Sequence, residues 1–201
     1  MRALERINNI VELRGALAGR PVLSHSSRSE MYYMFPLEIE RLSGAVDTLN
    51  IVVRRELLES VELEEKQRVY VKGELRSFNN KSGVGNRLII TVFAQALELT
   101  DESDMNSVTL AGTICKPPTL RKTPMGREIC DMMLAVNRRY GRSDYLPCIA
   151  WGRLAETASE FAVGADVQLT GRIQSRKYIK NENDVQTEKT AFEVSVAEIE
   201  T

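Results

Sequence analysis

Tyr145 and Trp151 lie six residues apart in a stretch that reads as extended chain, Leu146-Pro147-Cys148-Ile149-Ala150-Trp151. An even separation in a strand sends both side chains out of one face. Leu146, Cys148 and Ala150 then take the opposite face, apolar and small enough for the interior of a narrow barrel. A later stretch divides the same way: Arg172, Gln174, Arg176 and Tyr178 share one parity, while Val167, Leu169 and Ile173 share the other. Tyr140, preceded by Arg138 and Arg139, leads into a loop. Flat rings interleaved with guanidinium groups along one surface suit a flexible polyanion whose own rings can stack. Taken singly, each residue has an ordinary reading. Strand aromatics pack in cores, and arginines cover solvated faces with their aliphatic stems. Parity and interleaving together make these residues candidates.

Other chemistries find less support. The single histidine, His25, sits in Ser24-His25-Ser26-Ser27, a polar loop pattern that suits a solvated side chain. Gly83-Val84-Gly85 lacks the Lys-Ser/Thr and the following helix of a phosphate loop. Glu62, Glu64 and Glu65 read as the solvated end of a helix. No nucleophile stands in a sequence pattern with a base, so a non-catalytic protein is expected. Cys115, Cys130 and Cys148 are odd in number and widely spaced, with no metal-ligand pattern. Each lies in or beside an apolar strand pattern and reads as a small hydrophobe. Neither a metal nor a cofactor is expected.

Composition is that of a globular chain, 43% hydrophobic and 27% charged over 201 residues. Its formal net charge is −1 and is spread evenly. Nucleic-acid binders are often basic overall, so any positive surface here must be local. No run of about 18 apolar residues occurs, which excludes a spanning helix. Met1-Arg2-Ala3-Leu4-Glu5-Arg6 has no apolar signal core, so a cytoplasmic location is expected.

The elements that must carry these residues are written twice. Asn9-Ile10-Val11-Glu12-Leu13-Arg14-Gly15 aligns with Asn106-Ser107-Val108-Thr109-Leu110-Ala111-Gly112, and Pro21, Leu37, Ile39, Asp47 and Leu49 meet Pro118, Leu134, Val136, Asp144 and Leu146 at the same offset. After a slip of one, Val69-Tyr70-Val71-Lys72-Gly73-Glu74-Leu75-Arg76-Ser77 aligns with Val167-Gln168-Leu169-Thr170-Gly171-Arg172-Ile173-Gln174-Ser175. The acidic Thr100-Asp101-Glu102-Ser103-Asp104 reads as a linker. In the second copy, strands are expected over 108–112, 132–136, 146–151, 167–173 and 192–199, with a turn-rich connection at Pro117-Pro118 and Pro124-Met125-Gly126. A helix is expected over 152–164. The first copy keeps this plan, with its helix over 55–65 and a hairpin loop at Asn79-Asn80-Lys81-Ser82-Gly83. Strand glycines permit close approach at a barrel corner, and a helix between strands three and four plugs an OB barrel. The expected fold is all-β: two tandem OB-fold five-stranded barrels over 7–99 and 106–200, each with one short helix.

Leu134-Ala135-Val136-Asn137-Arg138-Arg139-Tyr140, Trp151-Gly152-Arg153-Leu154-Ala155-Glu156 and Gly171-Arg172-Ile173-Gln174-Ser175-Arg176-Lys177-Tyr178 resemble segments of the bacterial single-stranded-DNA-binding protein (SSB) family. Val108-Thr109-Leu110-Ala111-Gly112-Thr113-Ile114-Cys115 with Leu120-Arg121-Lys122 is similar to the SSB relative PriB, a primosomal replication protein. The resemblance covers 106–200. It implies single-stranded-DNA binding in replication, recombination or repair, with Tyr140, Tyr145, Trp151 and Tyr178 stacking on bases. Arg138, Arg139, Arg172, Arg176, Lys177, Arg121 and Lys122 would contact phosphates. It further implies a homodimer presenting four barrels, with replication proteins as other partners. The alternative is a PriB-like accessory or protein-interaction module that binds little nucleic acid itself. Ser43, Thr48 and Arg54 stand where the second copy has Tyr140, Tyr145 and Trp151, so the first barrel is expected to bind weakly, differently or not at all. Its aromatics, Tyr32, Tyr33, Phe35 and Phe78, lie elsewhere, and Phe35 and Phe93 look like core. The chain stops at Glu198-Ile199-Glu200-Thr201 without the acidic tail of SSB, which speaks against a recruiting hub.

Overall fold

The computed structural model describes residues 8–82, 85–182 and 185–201. Gly83, the end of the expected hairpin loop, and Val84, which with it belongs to the rejected phosphate-loop pattern, lie outside the described residues, as do residues 1–7. The described chain divides into two compact units. The first holds Val11–Ser107 with Gln174–Phe192, and the second holds 8–10, Val108–Ile173 and Glu193–Thr201.

In the first unit, β1 (Asn9–Leu17), β2 (Val22–Ser27), β3 (Glu30–Glu40), β4 (Val46–Arg54), α1 (Arg55–Glu59), β5 (Arg68–Asn79) and β6 (Leu88–Leu99) follow in order. β1 pairs with β3 at Ala16 and Glu38 and with β5 from Val11 opposite Gly73. β3 pairs with β4, β4 runs parallel to β6, and β6 returns to β5. These five pairings close a ring. Strict alternation on β1 buries Val11 and Leu13 inside it, with Phe35, Leu37, Ile51, Val71 and Leu75 from the other strands. Period-two patterning fixes this register, because a slip of one would turn every apolar side chain outward.

The second unit repeats the circuit with β7 (Met105–Ile114), β8 (Thr119–Lys122), β9 (Glu128–Asn137), β10 (Ser143–Trp151), α2 (Arg153–Ser159), β11 (Asp166–Glu182) and β12 (Val185–Glu200). β7 pairs with β9 and β11, β9 with β10, β10 in parallel with β12, and β12 with β11. Gly73 and Gly171 occupy equivalent places in the two rings. A Cβ at Gly73 would stand 2.1 Å from the Phe93 carbonyl oxygen, and one at Gly171 2.1 Å from that of Ser195. Only a residue without a side chain lets the strands come that close.

Four features depart from the expected plan. A short extra strand, β2 in one unit and β8 in the other, hairpins onto the next strand where loops were expected. Both have every residue exposed, so burial imposed no alternation to read. The helices are shorter than expected, five residues against 55–65 and seven against 152–164. α1 buries none of its side chains and has no basic residue in its last turn, while Glu59, Glu62, Glu64 and Glu65 cluster at and beyond its C-terminus. Packing and the helix dipole both fail to prolong it. β11 and β12 run well past the expected 173 and 192, and their outer parts, 174–182 and 185–192, fall in the first unit. Gln174, assigned by parity to the exposed face, is buried there.

Candidate nucleic-acid interface

β10 keeps the two faces read from its sequence. Asp144, Leu146, Cys148 and Ala150 are buried, whereas Tyr145 is 50% and Trp151 37% exposed. Ile149 shares the parity of the two aromatics but is buried, so the rings flank a covered position. Burial pushes the Cys148 thiol well above the ordinary range, with further repulsion from Glu193, and burial also raises Cys115 and Cys130. Thiols held protonated in this way act as hydrophobes.

Tyr140 projects from the turn between β9 and β10 and is 94% exposed, beside exposed Arg139. The turn is closed by the Arg138 amide donating to the Arg142 carbonyl at 2.7 Å. Arg138 itself is committed elsewhere. Its Nε donates to Asp144 Oδ2 at 2.7 Å and its Nη2 to Oδ1, and the Asp144 carboxylate is fully buried. This cation pairs with an interior charge while its side chain stays partly exposed. On β8, Arg121 grips Asp131 with two nitrogens, the longer contact being 3.2 Å, and Lys122 lies 3.6 Å from Glu128. These two pairs are solvated, and exposed ion pairs of this kind hold loosely enough to exchange partners. Arg172 is exposed on β11 in the second unit.

The remaining three candidates belong to the first unit. Arg176 places its guanidinium 5.8 Å from the Tyr178 ring centroid. The Tyr178 hydroxyl donates to Asn86 Oδ1 at 3.4 Å, and Lys177 lies 3.0 Å from Glu188. Tyr140, Tyr145, Trp151 and Arg172 are therefore carried by one compact unit, and Arg176, Lys177 and Tyr178 by the other.

The first unit also holds an aromatic group that its sequence did not disclose. His25 on β2 stacks on Tyr32 of β3, with centroids 4.7 Å apart and planes 6° from parallel. Tyr32 in turn tilts against Phe93 at 6.1 Å, and Arg54 and Arg76 lie 5.8 and 5.9 Å from the Phe93 centroid. Phe35 is core as expected, but Phe93 is only half-buried and faces this group. Burial raises the Tyr32 hydroxyl above its usual range, assisted by its hydrogen bond to Glu30. A signal existed in the even spacing of Tyr32 and Met34 opposite Arg54 and Val52, but it required knowing that Ser24-His25-Ser26 is a strand.

Among the described residues, no group of three His, Cys, Asp or Glu side chains could hold a metal ion, and no helix is long and apolar enough to cross a membrane. What the units offer instead are five-stranded rings, with a short helix after the third ring strand and aromatics on their outer surfaces. That is the OB fold, the class that the architecture defines. Residues 105–201 match the model of the Single-strand binding protein family, and the resemblance read from 106–200 holds. Over 81 residues the chain is 37% identical to Single-stranded DNA-binding protein 1 of Lactococcus lactis subsp. lactis, covering 37% of this chain and 54% of that protein. It is 33% identical over 101 residues to Single-stranded DNA-binding protein A of Bacillus subtilis, covering 44% and 59%. The chain thus spans a little over half the length of these curated relatives. The crystal structure of the wild-type single-stranded DNA binding protein from Thermus aquaticus superposes with a TM-score of 0.76 at 25% identity, covering 96% of this chain and 91% of that one.

Proposed function

We propose that this chain is a non-catalytic single-stranded-DNA-binding protein of replication, recombination or repair, built from two tandem OB barrels and acting in the cytoplasm. The observation that carries the reading is the division of β10, where Tyr145 and Trp151 are exposed on one face and core residues fill the other. Rings anchored on a rigid strand stack on bases without reading their sequence. Tyr140 and Tyr178 add stacking surfaces, and Arg139, Arg172, Arg176, Lys177, Arg121 and Lys122 supply charge for phosphates. The names of the Lactococcus and Bacillus relatives favour this reading over a protein-interaction module. A homodimer presenting four barrels, with replication proteins as further partners, goes with the family resemblance.

Titrating poly-dT into the protein while following Trp151 fluorescence tests the proposal. Quenching that saturates, and that weakens as salt rises through counterion release, is the expected result. Absence of both quenching and a mobility shift at micromolar protein would overturn it.

A further inference from the structure

The outer part of the β11–β12 hairpin carries Arg176, Lys177 and Tyr178, and within the first unit it is tied down at two points. At one, the Ser175 amide and hydroxyl each donate to Asp47 Oδ1 at 2.7 Å. The Arg41 guanidinium completes the junction, donating through Nε to Asp47 Oδ2 at 2.6 Å and through Nη2 to the Ser175 carbonyl at 2.8 Å. The Asp47 carboxylate is fully buried. At the other point, Asn86 Nδ2 donates to the Thr190 carbonyl on β12, while Asn86 Oδ1 accepts from the Tyr178 hydroxyl. Lys189 Nζ donates to the neighbouring Gly85 carbonyl at 3.3 Å. Every residue named here lies in the first compact unit.

We propose that Asp47 and Asn86, both contributed by the first copy, are positioning residues for nucleic-acid binding by Arg176 and Tyr178 of the second. The inference rests on the single-stranded-DNA reading above. Two-stranded ribbons are marginally stable by themselves, so this segment depends on what it docks against. Ser175 immediately precedes Arg176, and its attachment to a buried carboxylate fixes where Arg176 and Tyr178 leave the sheet. Asn86 acts one step closer, holding the Tyr178 hydroxyl and the opposing strand with one carboxamide. A ring fixed before the ligand arrives has less freedom to lose on binding. Asp47 is buried and anionic and cannot itself attract phosphate, so its effect must pass through the hairpin.

The test uses the full chain with oligo-dT as probe, comparing wild type, Asn86→Ala, Tyr178→Ala and the double variant. Asn86 is only half-buried, so its removal leaves the core intact. Asn86→Ala should weaken binding about two- to tenfold, the usual worth of one hydrogen bond. It should add little once Tyr178 is already alanine, and it should speed hydrogen exchange of amides 176–182 while thermal stability holds. Ser175→Ala, which spares the Arg41–Asp47 pair, should act in the same direction; Asp47→Asn gives the larger effect if it folds. Unchanged affinity in Asn86→Ala and Ser175→Ala, or a loss that simply adds to that of Tyr178→Ala, would overturn the positioning role. A wild-type chain that fails to bind oligo-dT would instead overturn the functional reading beneath it.

Discussion

Arg138 closes on Asp144 through two guanidinium nitrogens, and Arg41 closes on Asp47 in the same way, each pair centred on a fully buried carboxylate. Both members are displaced by the same interval, 138 − 41 = 97 and 144 − 47 = 97, so the duplication preserved an interior ion pair along with the strands. Breaking such a pair leaves a buried charge without compensation. Arg138→Ala should therefore lower stability by about 3 kcal/mol, read as a lower urea midpoint. The affinity of the folded fraction for oligo-dT should stay near that of wild type. A large loss of affinity at unchanged stability would place Arg138 among the phosphate contacts.

Trp151→Ala and Tyr145→Ala should each weaken oligo-dT binding by about 1–3 kcal/mol, the usual worth of a base–aromatic stack. Both side chains are substantially exposed, so the urea midpoint should move little. Filter binding or anisotropy at fixed salt measures the first quantity and equilibrium unfolding the second. Affinity unchanged in both variants would mean that another face binds.

Gly171→Ala should destabilise the second unit by on the order of 3 kcal/mol. The added methyl would meet the Ser195 carbonyl at 2.1 Å, and a backbone atom in a paired strand cannot step aside as a side-chain tip can. Gly73→Ala should do the same against Phe93, whereas Gly126→Ala is strained only by its φ of 78° and meets nothing within 4 Å. Differential scanning calorimetry of the three variants gives the ranking directly.

Acid should release the Asp47 junction. Burial pushes this carboxyl up, but hydrogen bonds from Arg41 and Ser175 together with the Arg41 charge outweigh it, and the net shift is downward from 3.8. A group whose folded pKa is depressed contributes stability that is complete above its unfolded value and fades as pH falls toward the folded one. Stability should therefore decline below about pH 4, and Asp47→Asn should flatten that decline while lowering stability at neutral pH. Urea midpoints measured from pH 7 to pH 3 check both parts.

Much of this protein was legible without coordinates because its strands obey one rule. A ring of five strands has an inside and an outside, and side chains alternate between them. Leu146 and Cys148, and Val167 and Leu169, announced buried faces that the fold then used. Tyr145 and Trp151 were assigned to the outside by the same arithmetic. The duplication was visible because each copy must solve the same close-packing problem, with Gly73 and Gly171 at the same crossing.

Where burial imposes no period, the sequence is silent. β2 and β8 are wholly exposed and left no alternation, so His25 gave no sign that it stacks on Tyr32. Parity says which way a side chain leaves its own strand but not what stands opposite. Nothing in Asn137-Arg138-Arg139 tells that Arg138 closes on a buried aspartate six residues away. Gln174 has the parity of a surface residue and is buried, and it belongs to the first compact unit. The sequence alone determined the repeated barrel plan and the aromatic face of β10, since both follow from local periodicity. Only the tertiary structure decided which cations are already neutralised and which unit holds Tyr178, since those depend on partners distant in the chain.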